Sequence, residues 1–171
     1  MSSKVNPVPQ GFHTLTPHLV VNDSRKAAEF YKKAFGAEIL GLAEGPGGNI
    51  IHAAGKIGDS MFMFNDEFPE WGVLSPLANK TKSPVTIHIY VDDADKMFAQ
   101  AQAAGATVTM PLADQFWGDR YGTLQDPFGH HWAVATHVKD MSHEEMMMAQ
   151  EDAMAKMASQ SYRPLLRDGW I

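Results

Sequence analysis

The chain carries one eight-residue phrase twice. Thr16-Pro17-His18-Leu19-Val20-Val21-Asn22-Asp23 returns seventy residues later as Thr86-Ile87-His88-Ile89-Tyr90-Val91-Asp92-Asp93. Each copy alternates polar and apolar side chains, as a half-buried strand does, and ends in residues that accept hydrogen bonds from a helix start. Each then enters a helical segment that stops at Gly-Ala, Gly36-Ala37 in the first copy and Gly105-Ala106 in the second. Across the strand and helix of the two copies about six residues are identical without a gap. A repeat of this kind decides the architecture before any single element does: two copies of one supersecondary unit.

The order of elements after each phrase agrees. In the first unit a strand is expected over 12–21, bent near Pro17 and so suited to a sheet edge. Asp23 or Ser24 caps a helix in which Ala27, Phe30, Tyr31, Ala34 and Phe35 recur at helical spacing. Strands over 37–42, 50–54 and 60–65 follow, with turns at Gly45–Gly48 and 56–59. The second unit reads as a strand over 85–91, a helix over 94–104, and strands over 107–112, 120–125 and 131–136. Its last turn is Asp126-Pro127-Phe128-Gly129. The domain reading is an arm over 1–11, a first module over 12–65, a connecting loop over 66–84, a second module over 85–138, and a C-terminal segment over 139–171. Phe68 and Trp71 look exposed in the loop. The last segment opens with the capping box Ser142-His143-Glu144-Glu145 and continues as a Met-rich helix to about Gln160. Beyond it Tyr162, Leu165, Leu166 and Trp170 make an apolar tail.

The totals remove whole classes of function. Of 171 residues none is cysteine, so disulfides, thiolate nucleophiles and thiolate metal sites are out, which suits the cytoplasm. A net charge of -6 without a basic cluster argues against nucleic acid as partner. No apolar run reaches the ~18 residues of a membrane span, and the N-terminal stretch lacks the apolar centre of a secretory signal. There is no Gly-x-Ser-x-Gly elbow and no phosphate-binding glycine loop.

The tandem unit, the Asp23…Phe30-Tyr31…Phe35-Gly36 pattern and Asp126-Pro127-Phe128-Gly129 together resemble the vicinal oxygen chelate superfamily of glyoxalases, bleomycin-resistance proteins and dioxygenases. Trp117-Gly118-Asp119-Arg120-Tyr121-Gly122 and His130-His131-Trp132 look most like its PhnB-like branch. The resemblance implies an α+β fold: tandem βαβββ modules whose curved mixed sheets surround a pocket, commonly completed by a homodimer, here with an added C-terminal helix. It also implies a metal ligand from the first and last strand of each module. Laid on that pattern, the four positions are Thr16, Phe62, Thr86 and Ala133, none of which offers an imidazole or carboxylate. No cofactor is therefore expected, and the implied function is binding of a small organic molecule in a metal-free, aromatic-lined pocket. Acidic composition suits a cationic ligand.

Two other readings stay open. His18 and His88 lie two residues beyond the first-strand ligand positions, hence on the same strand face. With a carboxylate such as Glu44 or Asp119 they would hold a divalent metal for lyase, isomerase or dioxygenase chemistry. They equally suit hydrogen-bonded walls or proton transfer. The third reading is a catalytically silent dimer. Expected around the pocket are His18, His88, Phe62, Trp117, Arg120, Tyr121 and Trp132. Arg120 suits a bidentate grip on a carboxylate or phosphate, or an ion pair with Asp119 or Asp126. His52 has a claim to the cavity, and His130 and His131, adjacent on a strand, face opposite ways.

Overall fold

The computed structural model describes residues 5–161, the side chains of residues 160 and 161 excepted. Its first unit is β1 (His18–Val21), α1 (Ser24–Phe35), β2 (Glu38–Glu44), β3 (Ile50–Ile57) and β4 (Ser60–Asp66). The second is β5 (Thr86–Tyr90), α2 (Ala94–Ala104), β6 (Thr107–Asp114), β7 (Asp119–Gln125) and β8 (His131–His137), and α3 (His143–Ser161) ends the described chain. Each unit folds into a four-stranded mixed sheet, ordered β1-β4-β3-β2 and β5-β8-β7-β6. In each the first strand runs parallel to the last and forms one edge.

The repeat is visible in individual hydrogen bonds. Asp23 caps α1 by accepting from Lys26 N–H at 3.0 Å, and Asp93 caps α2 by accepting from Lys96 N–H at 2.9 Å. Gly36 and Gly105 end the two helices with left-handed φ of 65° and 115°, a conformation glycine takes without a Cβ clash. The last strand reaches back to tie each helix start. Asp66 accepts from Ser24 N–H at 2.7 Å, and Thr136 accepts from Ala94 N–H at 2.8 Å, the same seventy residues apart.

β1 is shorter than the 12–21 strand expected, because Pro17 has no N–H to give a ladder. It contributes only its carbonyl, to Met63 N–H at 2.9 Å. Residues 5–11 of the expected arm form no helix or strand and are exposed. Within the connecting loop Phe68 is buried rather than exposed, and stacks on exposed Trp71 at 5.1 Å. The apolar tail after the Met-rich helix lies outside the described residues. The capping box that starts that helix is formed: Ser142 N–H donates to Glu145 Oε2 at 2.8 Å, and Glu145 N–H to Ser142 Oγ at 3.2 Å.

α1 and α2 pack against one another between the sheets, and both inner sheet faces contribute to one core. Tyr31 is its centre, with ring contacts to Phe62 at 5.4 Å, Trp132 at 5.6 Å and Phe128 at 6.1 Å. The hydroxyl of this fully buried tyrosine donates to Asp126 Oδ2 at 3.0 Å, and Trp132 Nε1–H donates to the same oxygen at 2.9 Å. Asp126 Oδ1 takes the N–H groups of Phe128 and His130, so both oxygens of a buried carboxylate are satisfied. Burial still pushes the Asp126 carboxyl above its usual range, and burial beside that carboxylate pushes the Tyr31 phenol well up.

Candidate functional site

Strand parity sorts the expected site residues into separate places. On the second sheet Thr86, His88 and Tyr90 share the outer face with His131, Ala133 and Ala135 of β8 and with Tyr121 and Thr123 of β7. Rings form a continuous run there. His88 lies 4.5 Å from Tyr90 and 5.6 Å from Tyr121, and Tyr121 lies 5.6 Å from Trp117. His88 is exposed, while Tyr121 and Trp117 are half-buried.

A carboxylate orients this face. Asp119 accepts from Tyr90 Oη–H at 2.9 Å, from Trp117 Nε1–H at 3.0 Å and from His137 Nδ1 at 2.8 Å, with its side chain only 5% exposed. Burial alone would raise the Asp119 carboxyl, but the donors from His137, Tyr90 and Trp117 outweigh it and hold the group below the usual range. Asp119, and then Asp140 at 3.1 Å from Nε2, raise the His137 imidazole above its usual value. Sequence reading gives Asp119 only as a turn partner or metal carboxylate. The alternation of β5, β7 and β8 is the signal that puts Tyr90 and His137 on its face, and Trp117 joins them from the turn before β7.

His18 stands elsewhere, on the exposed face of the first sheet, its ring 6.3 Å from that of exposed His52. Among the described residues no hydrogen-bonded strand pair joins the two sheets. Glu44 binds Arg25 and Asp119 is engaged as above. Among the described residues no three His, Asp or Glu side chains converge as a metal site would require. The four family ligand positions fit a divalent ion no better. One needs correction: Ala133 pairs with His88, and the residue pairing with His18 is Met63, not Phe62. Phe62 points to the helices and covers Gly55, where an added Cβ would sit 2.7 Å from its ring.

Arg120 also faces the helix side, and its partners are neither Asp119 nor Asp126. Its guanidinium grips Asp95 of α2 with two bonds, of 2.5 and 2.7 Å, and reaches Asp114 at 3.0 Å, all of which raise its pKa further. It is a strut between α2 and β7, committed before any ligand arrives. Trp132 is 1% exposed and belongs to the core. Phe62, Trp132 and His88 nevertheless touch one cavity of about 830 Å³, which lies behind the β5 edge. His130 and His131 do point apart. His130 Nε2 lies 2.8 Å from the Val20 carbonyl oxygen, whereas His131 sits on the outer face with a buried Nε2 lacking a partner among the described residues.

Comparison with known proteins agrees with this architecture. Residues 11–134 match the Glyoxalase/Bleomycin resistance protein/Dioxygenase superfamily, and the chain belongs to it. It is 46% identical over 137 residues to an uncharacterized protein of Mycobacterium tuberculosis, covering 79% of this chain and 81% of that one. The crystal structure of TioX from Micromonospora sp. ML1 is similar at 25% identity and a TM-score of 0.58, covering 74% of this chain and 99% of its own. A gene product of Arabidopsis thaliana is similar at 28% identity and a TM-score of 0.57, covering 72% and 98%. No helix among the described residues is long and apolar enough to cross a membrane.

Proposed function

We propose that this protein binds a small organic molecule against the aromatic outer face of its second sheet, without a metal ion, as a cytosolic homodimer whose second copy closes over that face. The observation that carries the reading is the run His88, Tyr90, Tyr121 and Trp117, with Tyr90 62% exposed and two of the four held by Asp119. Aromatic rings with a few placed polar groups are the usual lining of small-molecule sites. Rings fixed by a buried carboxylate lose little further freedom on binding. Superfamily membership supports the class, and the acidic composition favours a cationic ligand among such molecules. The exposure of His88 and Tyr90 on this face favours closure by another copy.

The test is a thermal-shift screen of cationic and neutral aromatic compounds, followed by titration of the hits and sedimentation equilibrium of the free protein. The expected result is a dimer and a hit whose affinity falls about tenfold or more in Tyr121→Ala, the loss of about 1.4 kcal/mol. Hits indifferent to Tyr121→Ala and Trp117→Ala would remove the aromatic face from the reading. The metal-dependent reading has one observation in its favour: His18 and His88 are equivalents in the repeat, and both are exposed. Metal analysis of untagged protein after soaking in divalent cations decides it. About one ion per chain, lost in His88→Ala, would replace the metal-free proposal.

A further inference from the structure

The turn before the last strand differs between the halves. Between matched ladder pairs Gln125↔His131 and Lys56↔Met61, the second half carries Asp126-Pro127-Phe128-Gly129-His130 and the first only Ile57-Gly58-Asp59-Ser60. The longer turn acts as a plug on the first module. Phe128 inserts its ring 6.0 Å from Phe30, and His130 reaches the outward carbonyl of Val20 at the edge of β1. The shorter turn continues its ladder to Ile57↔Ser60 and brings no such side chains. Counted back seventy from the last strand, glycine stands for Phe128 and Ser60 for His130.

Burial records the missing plug. Leu19 and Val21 of β1 are 6% and 0% exposed, and Ala27 of α1 is 0% exposed. Their equivalents Ile89, Val91 and Met97 are only half-buried, and they line the cavity of about 830 Å³ beside Gly58 and Ser60. Val91 N–H donates to the Ala135 carbonyl, so by strand alternation the carbonyl of Tyr90 turns to the open edge, as that of Val20 does. The cavity has an apolar floor and an outward-turned acceptor at its rim.

We propose that this cavity, which reaches His88 and Tyr90 at the β5 edge but not Tyr121 or Trp117, is a second binding site for a small planar heteroaromatic molecule bearing a ring N–H. Its ring occupies the space that Phe128 fills in the other half, and its N–H donates to the Tyr90 carbonyl as His130 meets that of Val20. The volume lies within the range of small-molecule sites.

The experiment is titration of the full chain with indole, followed by NMR of the methyl groups of isoleucine and methionine, with 1-methylindole as the probe lacking the donor. Shifts are expected at Ile87, Ile89 and Met97, with 1-methylindole about fivefold or more weaker, as for one lost hydrogen bond. Ser60→Trp and Met97→Trp, each checked for an unchanged melting profile, fill the cavity from inside and lower indole affinity at least tenfold in one or both. Tyr121→Ala leaves it unchanged, which separates this site from the outer face. Absence of shifts at the three methyls, equal binding of 1-methylindole, or indifference to both tryptophan variants overturns the proposal. A second copy covering the cavity would appear as the first of these outcomes.

Discussion

The first and second modules share element order, helix caps and the tie from last strand to helix start, yet divide their duties unequally. The second module's turn closes over the first and stitches it through Phe128, His130 and Asp126. The first module's turn returns nothing, and the second keeps a half-buried β5 edge. Their outer faces differ as well: the second carries Tyr90, Tyr121, Trp117 and Asp119, whereas the first has Val20 in the place of Tyr90 and carries the exposed His18 and His52. Duplication supplies two equal frames, and a few substitutions then make one half the scaffold and the other the bearer of open surfaces.

Asp126→Ala should break this arrangement most. It strands the Tyr31 hydroxyl, the Trp132 indole N–H and two backbone N–H groups in the core, and is expected to cost about 4 kcal/mol or more by urea denaturation. Phe128→Ala removes the plug itself and should cost about 3 kcal/mol, leaving Leu19 and Val21 as accessible as their half-buried equivalents Ile89 and Val91. Faster hydrogen exchange at β1 than at β8 in that variant checks the second half of the statement. The two helix ties sharpen the comparison. Asp66 holds both Ser24 and Ile50 N–H groups, so Asp66→Ala should cost about 2 kcal/mol; Thr136→Val loses one donor's acceptor and one donated bond, at about 1 kcal/mol.

The smallest expected effect is a pH dependence confined to the second module. The Asp119 carboxyl is held low, so its contribution is present above its unfolded value of about 4 and fades as pH falls through the folded one. The His137 imidazole is raised, so its contribution is full below about 6.5 and is lost as pH rises through the folded value. The difference in melting temperature between the wild type and His137→Ala should therefore be largest from about pH 4 to 6.5 and shrink at alkaline pH. A difference constant with pH would mean that the pair is not charged as described.

The repeat, the caps and both helices were legible because they depend on local chemistry: Asp23 and Asp93 accept from the helix start, and Gly36 and Gly105 take the left-handed residue. Face assignment of Phe62 was not. The two pre-final turns differ by one residue, so counting forward from Gly58 and Gly129 reaches Phe62 on the inner face but Ala133 on the outer. Arg120 was misread for a different reason. Its carboxylates come from α2 and the end of β6, and sequence distance hides a partner that tertiary packing supplies. The expected pocket residues read as one group, whereas packing divides them: His88, Tyr121 and Trp117 on the second sheet's outer face, Phe62 and Trp132 in the core, Arg120 between α2 and β7, and His18 on the first sheet.

Tyr31 belongs to the first module and its acceptor Asp126 to the second, while Val20 and His130 repeat that exchange at the edge of β1. Neither half can satisfy its own interior alone. The protein should therefore melt as one cooperative unit despite its duplicated plan. A chain severed within the exposed connection at 78–82 should yield fragments that are unstructured apart and regain the native fold when mixed.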